Sequence, residues 1–132
     1  MSTRRFDHLD LRVSNYAESR PFYDSWLPAM GYTRLADYGE EWTGWRLDDA
    51  DPAEFIGIFT DPDHKPNANR VAFWADSRAE VDRIAAAIVA GGGRNIEGPE
   101  VCDEYSAGYY AVFFEDPSGN KFEVCFREQL DS

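Results

Sequence analysis

The sequence predicts an α+β fold: two tandem βαβββ modules that form a cupped mixed sheet with the helices on the outside. Three observations carry that expectation. The segment HLDLRVSNYAES from His8 lines up with RVAFWADSRAEV from Arg70 at an offset of 62 positions, and in both an alternating strand runs through a polar cap into a helix. Three strand-like stretches follow each helix, separated by glycine, proline and aspartate. The last stretch of each half also aligns, EFIGIFTD from Glu54 with KFEVCFRE from Lys121, at an offset of 67. A chain of 132 residues fits one domain, 1–132, with module 1 at about 6–60 and module 2 at about 69–127.

In chain order, the first strand starts at His8 and alternates apolar with polar residues. Asn15 and Glu18 then form a capping pair that satisfies free N–H groups at a helix start. The helix runs from about Tyr16 to Leu27, with Phe22, Trp26 and Met30 on one stripe, Pro21 near its start and Gly31 at its end. Strands follow at Tyr32–Asp37, Glu41–Leu47 and Glu54–Thr60. Asp61–Asn69, with two prolines, is the linker. The second module repeats the plan: a strand from Arg70, the cap pair Ser77 and Glu80, and a helix at about Arg78–Ala90 stopped by three glycines. Its strands are Asn95–Val101, Tyr109–Glu115 and Lys121–Arg127, the last two joined by the turn Asp116-Pro117-Ser118-Gly119-Asn120.

The net charge of −12 and pI near 4.4 repel phosphate backbones and anionic lipid, which argues against nucleic-acid and membrane partners. No apolar run has signal-peptide or membrane-spanning length. Cys102 and Cys125 are too few for a disulfide framework and too far apart for a metal pair, so a reduced cytoplasmic setting is expected. Aromatic residues, at 15%, exceed what a small core requires, and some are expected to line a ligand surface.

Side chains alternate across a strand, so parity assigns faces. Leu9, Leu11 and Val13 are expected to pack on the helix, leaving His8, Asp10 and Arg12 opposite. Likewise Val71 and Phe73 pack, leaving Arg70, Ala72 and Trp74; Phe122, Val124 and Phe126 pack, leaving Glu123, Cys125 and Arg127. In the fourth strand Phe55, Gly57 and Phe59 are expected to pack, with Ile56 and Ile58 opposite. His8, Ile56, Arg70 and Glu123 are thereby nominated for the concave face.

Together DHLDLRVSNYAESRPFY, RVAFWADSRAEVD and YYAVFFEDPSGNKFEV resemble the glyoxalase/bleomycin resistance/extradiol dioxygenase superfamily, the vicinal-oxygen-chelate fold. The likeness runs from about Phe6 to Arg127 and is most specific at DPSGNKFEV. It implies a divalent metal in the cup, with ligands at His8, Arg70 and Glu123 and a fourth at Ile56. It also implies a homodimer, in which site residues can come from either chain. The sequence keeps His8 and Glu123 as metal candidates but has Arg70 and Ile56 at the other positions. A guanidinium has no lone pair to donate and its charge repels a cation, so the reading leans against a metal.

Arg70 is instead a substrate-binding candidate able to clamp a carboxylate or enolate-like oxygen, or a partner for Glu123. Glu123 and His8 are the catalytic candidates, as base and as acid/base near neutral pH. Trp74, Trp45, Tyr105 and Tyr109 are the aromatic substrate-binding candidates, with Trp42 and Tyr110 beside them; Asp103–Ala107 reads as a loop at the mouth. His64 in the linker is a further donor that could reach inward, and Cys125 reads as an inert thiol. Three function classes stay open: a glyoxalase-type lyase or dioxygenase-like enzyme with a degraded metal site, a metal-free small-molecule binding protein of the antibiotic-sequestering type, and a structural or regulatory dimer with no ligand. Ordinary core packing and a structural ion pair are the plainer alternatives at each position.

Overall fold

The computed structural model describes residues 6–128. The notional span 1–132 therefore has ends outside the described residues. The elements run β1 (His8–Val13), α1 (Tyr16–Trp26), a 3-10 turn (Pro28–Met30), β2 (Tyr32–Gly39), β3 (Trp42–Leu47), β4 (Phe55–Thr60), β5 (Arg70–Trp74), α2 (Arg78–Ala90), β6 (Arg94–Val101), β7 (Tyr110–Glu115) and β8 (Lys121–Phe126). This is βαβββ twice. Each module makes its own four-stranded mixed sheet, in the orders β1-β4-β3-β2 and β5-β8-β7-β6, so the strands form two sheets rather than one continuous one. In each, the module's first strand pairs in parallel with its last, and the remaining pairs are antiparallel.

Both helices begin where the caps require. Asn15 Oδ1 accepts from the Glu18 N–H and Ser77 Oγ from the Glu80 N–H, each at 3.0 Å. Pro21 lies inside α1 without moving its start. The chain leaves the first helical segment through Gly31, whose φ of 98° is left-handed and costs glycine little.

A shared core joins the modules. Phe22 and Trp26 of α1 touch Phe114 and Phe122 of the second sheet, while Tyr23 lies against Trp45 of the first. Tyr23, Trp26, Ile58, Ile84 and Val124 have no exposed surface. Burial of each such large apolar side chain contributes roughly 1.5–3 kcal/mol. Two polar links close the seam: Asn120 Nδ2 donates to the Arg12 carbonyl at 2.8 Å, and the Ser14 N–H donates to Ser118 Oγ at 2.9 Å.

The fourth strand corrects the expected parity. Ile56 and Ile58 are buried in the core, whereas Phe55 and Phe59 lie on the face turned away from the helices, stacked against His8 and Trp42. The reason lies in the pairing. Parallel register puts Phe55 beside His8 and Gly57 beside Asp10, and paired residues share a face. In a strand that is apolar at nearly every position, hydrophobicity does not identify the inward side.

Candidate functional site

The faces turned away from the helices carry the candidate residues. On the first sheet, β1 presents His8, Asp10 and Arg12, and β4 presents Phe55, Gly57 and Phe59. The His8 ring stacks on Phe55 at 4.7 Å, the Arg12 guanidinium lies 4.6 Å from the Phe59 ring centre, and Arg46 lies 5.2 Å from that of Phe55. His8 Nδ1 is 2.8 Å from Asp7 Oδ1, and its Nε2 is 3.5 Å from Asp10 Oδ2. The hydrogen bond to Asp7 raises the His8 pKa above 6.5; partial desolvation opposes it and Asp10 adds to it. Gly44 pairs with Gly57 across β3 and β4, and the rings of Tyr38 and Phe55 lean onto the bare Gly44 backbone.

On the second sheet, Arg70, Ala72 and Trp74 of β5 stand beside Glu123 and Cys125 of β8, and Tyr109, Ala111 and Phe113 complete the floor. Glu123 is 7% exposed and accepts a hydrogen bond from the Tyr109 hydroxyl. Burial raises the Tyr109 pKa, reinforced by Cys125 and Glu123, so the phenol stays protonated and remains a donor. Arg70 lies over Phe113 at 5.1 Å. Arg127 lies over Tyr109 at 4.8 Å and over Trp74 at 6.0 Å. Among the described residues neither arginine makes an ion pair. Trp74 is 71% exposed and Tyr105 58%. The Asp103–Ala107 segment is pinned by Gly108 N–H to Asp103 Oδ1 at 2.9 Å, and it sets Tyr105 edge-on to Tyr109 at 5.4 Å.

The sequence candidates divide accordingly. Arg70, Trp74, Tyr105, Tyr109 and Glu123 share the open face of the second sheet, whereas His8 lies on that of the first. His8, Arg70 and Glu123 make their polar and ring contacts to different partners and none to one another. An Arg70–Glu123 ion pair, one of the roles open to Arg70 from sequence, is absent among the described residues; Tyr109 is the partner of Glu123 instead.

Two expected rim residues are corrected. Trp45 is 1% exposed on the helix side of β3, where its Nε1 donates to Asp24 at 3.0 Å. Tyr110 likewise faces α2, donating to Asp82 at 2.7 Å. Strand β3 is amphipathic, so the two tryptophans part company: Thr43 and Trp45 face α1, Trp42 and Arg46 do not. Arg127 and Phe113 were not nominated from sequence. The parity of Arg127 with Glu123 was the available signal; its ring contacts were not legible.

The metal that the resemblance implies does not fit these residues. Arg70 has no lone pair. The strand registers show that Gly57, not Ile56, matches Glu123: Phe55 to Lys121 is an offset of 66, because His8 pairs with Phe55 and Arg70 with Lys121. A glycine brings no side-chain ligand. Glu123 is committed to Tyr109, and His8 to two aspartates. Nowhere among the described residues do three histidine, cysteine, aspartate or glutamate side chains converge to hold an ion.

Fold, repeat and face together define a class, and comparison agrees. Residues 5–124 match the family described as the Glyoxalase/Bleomycin resistance protein/Dioxygenase superfamily, and the chain belongs to it. Among its relatives is a Bacillus subtilis (strain 168) protein, uncharacterized protein YqjT, 28% identical over 129 residues and covering 89% of this chain and 94% of that one. A crystal structure of a glyoxalase/bleomycin resistance protein from Albidiferax ferrireducens T118 superposes with a TM-score of 0.76 at 28% identity, covering 92% of this chain and 98% of that one. Fosfomycin resistance protein FosX from Mesorhizobium loti superposes with a TM-score of 0.68 at 16% identity, covering 96% of this chain and 95% of the other, which is a likeness of fold alone.

Proposed function

We propose that the protein is a metal-independent small-molecule binding member of its superfamily, and that it takes a planar, anionic ligand on the open face of the second sheet. The observation that carries this reading is the pair Arg70 and Arg127. Both guanidinium groups rest on aromatic rings with no carboxylate partner among the described residues. In a chain of net charge −12, two free cations on one face favour an incoming anion. Trp74 and Tyr105 supply exposed flat surface beside them, and Ala72 leaves room between Arg70 and Trp74. Glu123 and Tyr109 form the polar floor, where Glu123 accepts and Tyr109 holds it in place.

The same reading keeps the expected homodimer and a reduced cytoplasmic setting. Supporting the first are Tyr38 and Trp42, exposed and in ring contact with each other on the first sheet, which offer apolar area to a second copy. Supporting the second are two buried cysteines without a disulfide. No helix among the described residues is long and apolar enough to cross a membrane.

The test is titration with 1-naphthoate, read by the quenching of Trp74 fluorescence against a Trp74→Phe control. Binding is expected to be unchanged by chelator and weakened about tenfold by Arg70→Ala or Arg127→Ala, as loss of one charge-assisted contact implies. Elemental analysis of protein purified without chelator runs in parallel. A stoichiometric transition metal, or naphthoate affinity indifferent to both arginines, overturns the reading.

A further inference from the structure

We propose a second ligand site, for a small oxyanion of the carboxylate or phosphate type, in the cleft where the two modules meet beneath the linker. A cavity of about 360 Å³ opens there, between the end of β1, the start of β5 and the start of β8. Its size suits a small metabolite. None of its wall residues belongs to the Arg70, Arg127, Tyr109 and Glu123 group.

The wall is cationic in an acidic protein. Arg12, Lys65 and Lys121 line it together with His64. Arg12 and Lys65 make no ion pair among the described residues, while Lys121 shares its charge with Glu115 at 3.2 Å. Asp10 is the carboxylate on the wall, and its Oδ2 lies 3.5 Å from His8 Nε2. Positive charge therefore exceeds negative at the cleft.

A second observation is independent of charge. His64 Nε2 is covered and has no hydrogen-bond partner, in a residue whose N–H is already fixed to the Asp61 carbonyl at 2.9 Å. Buried polar atoms are normally partnered, and an orphan at a cavity wall is the kind that a bound group satisfies. Across the cleft Asn120 ties β8 to the Arg12 carbonyl, so a bound anion would bridge elements of both modules. Occupation should therefore stabilise the native chain by linkage.

The experiment is thermal unfolding of the whole chain in inorganic phosphate, in succinate and in sodium chloride at matched ionic strength, with amide NMR mapping on the wild type. The expected result is a saturable rise in Tm with phosphate or succinate and not with chloride, with shifts at Asn69 and Asn120. The two oxyanions distinguish a phosphate from a carboxylate ligand. Lys65→Ala and Arg12→Gln should each weaken the response about tenfold. Arg70→Ala and Arg127→Ala should leave it intact. The proposal falls if chloride acts equally, if Lys65 and Arg12 variants titrate as wild type, or if the response disappears with Arg70 or Arg127, which would assign the anion to the open face.

Discussion

The hydroxyl of Tyr23 on α1 donates to Asp116, in the turn between β7 and β8, at 2.6 Å, and neither residue has exposed surface. Asp116 also accepts from the backbone N–H groups of Ser118 and Asn120 and from Asn120 Nδ2, so one carboxylate organises the whole turn. Burial, with the Asp116 charge next, pushes the Tyr23 pKa well above its usual value and keeps the donor protonated. Because Asn120 in turn bonds across to Arg12, this pair governs how the modules meet.

Tyr23→Phe removes one donor while leaving Asp116 buried, and should cost about 1–3 kcal/mol. Asp116→Ala should cost more, since three further donors lose their acceptor. Chemical unfolding of both variants decides it: a midpoint for Tyr23→Phe equal to wild type contradicts a structural role for this contact.

The face assignment separates two substitutions that sequence parity treats alike. Ile56→Ala should destabilise by roughly 2–5 kcal/mol, because Ile56 lies in the core. Trp74→Ala, at an exposed position, should shift stability by only about 0.5 kcal/mol while weakening ligand binding. Equal losses of stability would refute the reversed parity of β4.

His8 should titrate above 6.5, because Asp7 and Asp10 stabilise its imidazolium. Its folded pKa is raised, so its contribution to stability is complete below about 6.5 and fades as pH rises through the folded value. Proton NMR of the imidazole checks this. Asp7→Asn should bring the titration back toward the unperturbed value; no movement would detach His8 from Asp7.

Both thiols should resist modification in the native state. Burial raises the pKa of Cys125, opposed by its hydrogen bond to Tyr109, and desolvation raises that of Cys102. Reaction with a disulfide reagent should require unfolding. Fast labelling of Cys125 at neutral pH would make it a nucleophile and reopen its role beside Glu123.

What local sequence determined is considerable. The capping residues Asn15 and Ser77, the turn Asp116–Asn120 and clean alternation in β1 and β5 each act within a few residues, so helix starts, the succession of elements along each module and the open-face placement of His8, Arg70 and Trp74 were legible. Tertiary structure decided the rest. Phe55, Ile56, Ile58 and Phe59 are all apolar, and only the parallel register with β1 chose which of them faces the helices. Trp45 was drawn inward by Tyr23 and Asp24 of a helix more than twenty positions away. The links of Glu123 to Tyr109 and of Arg127 to Trp74 likewise depend on which strands lie side by side. Short-range hydrogen bonding and alternation are written in neighbouring residues; the choice between two equally greasy faces is made by what packs against them.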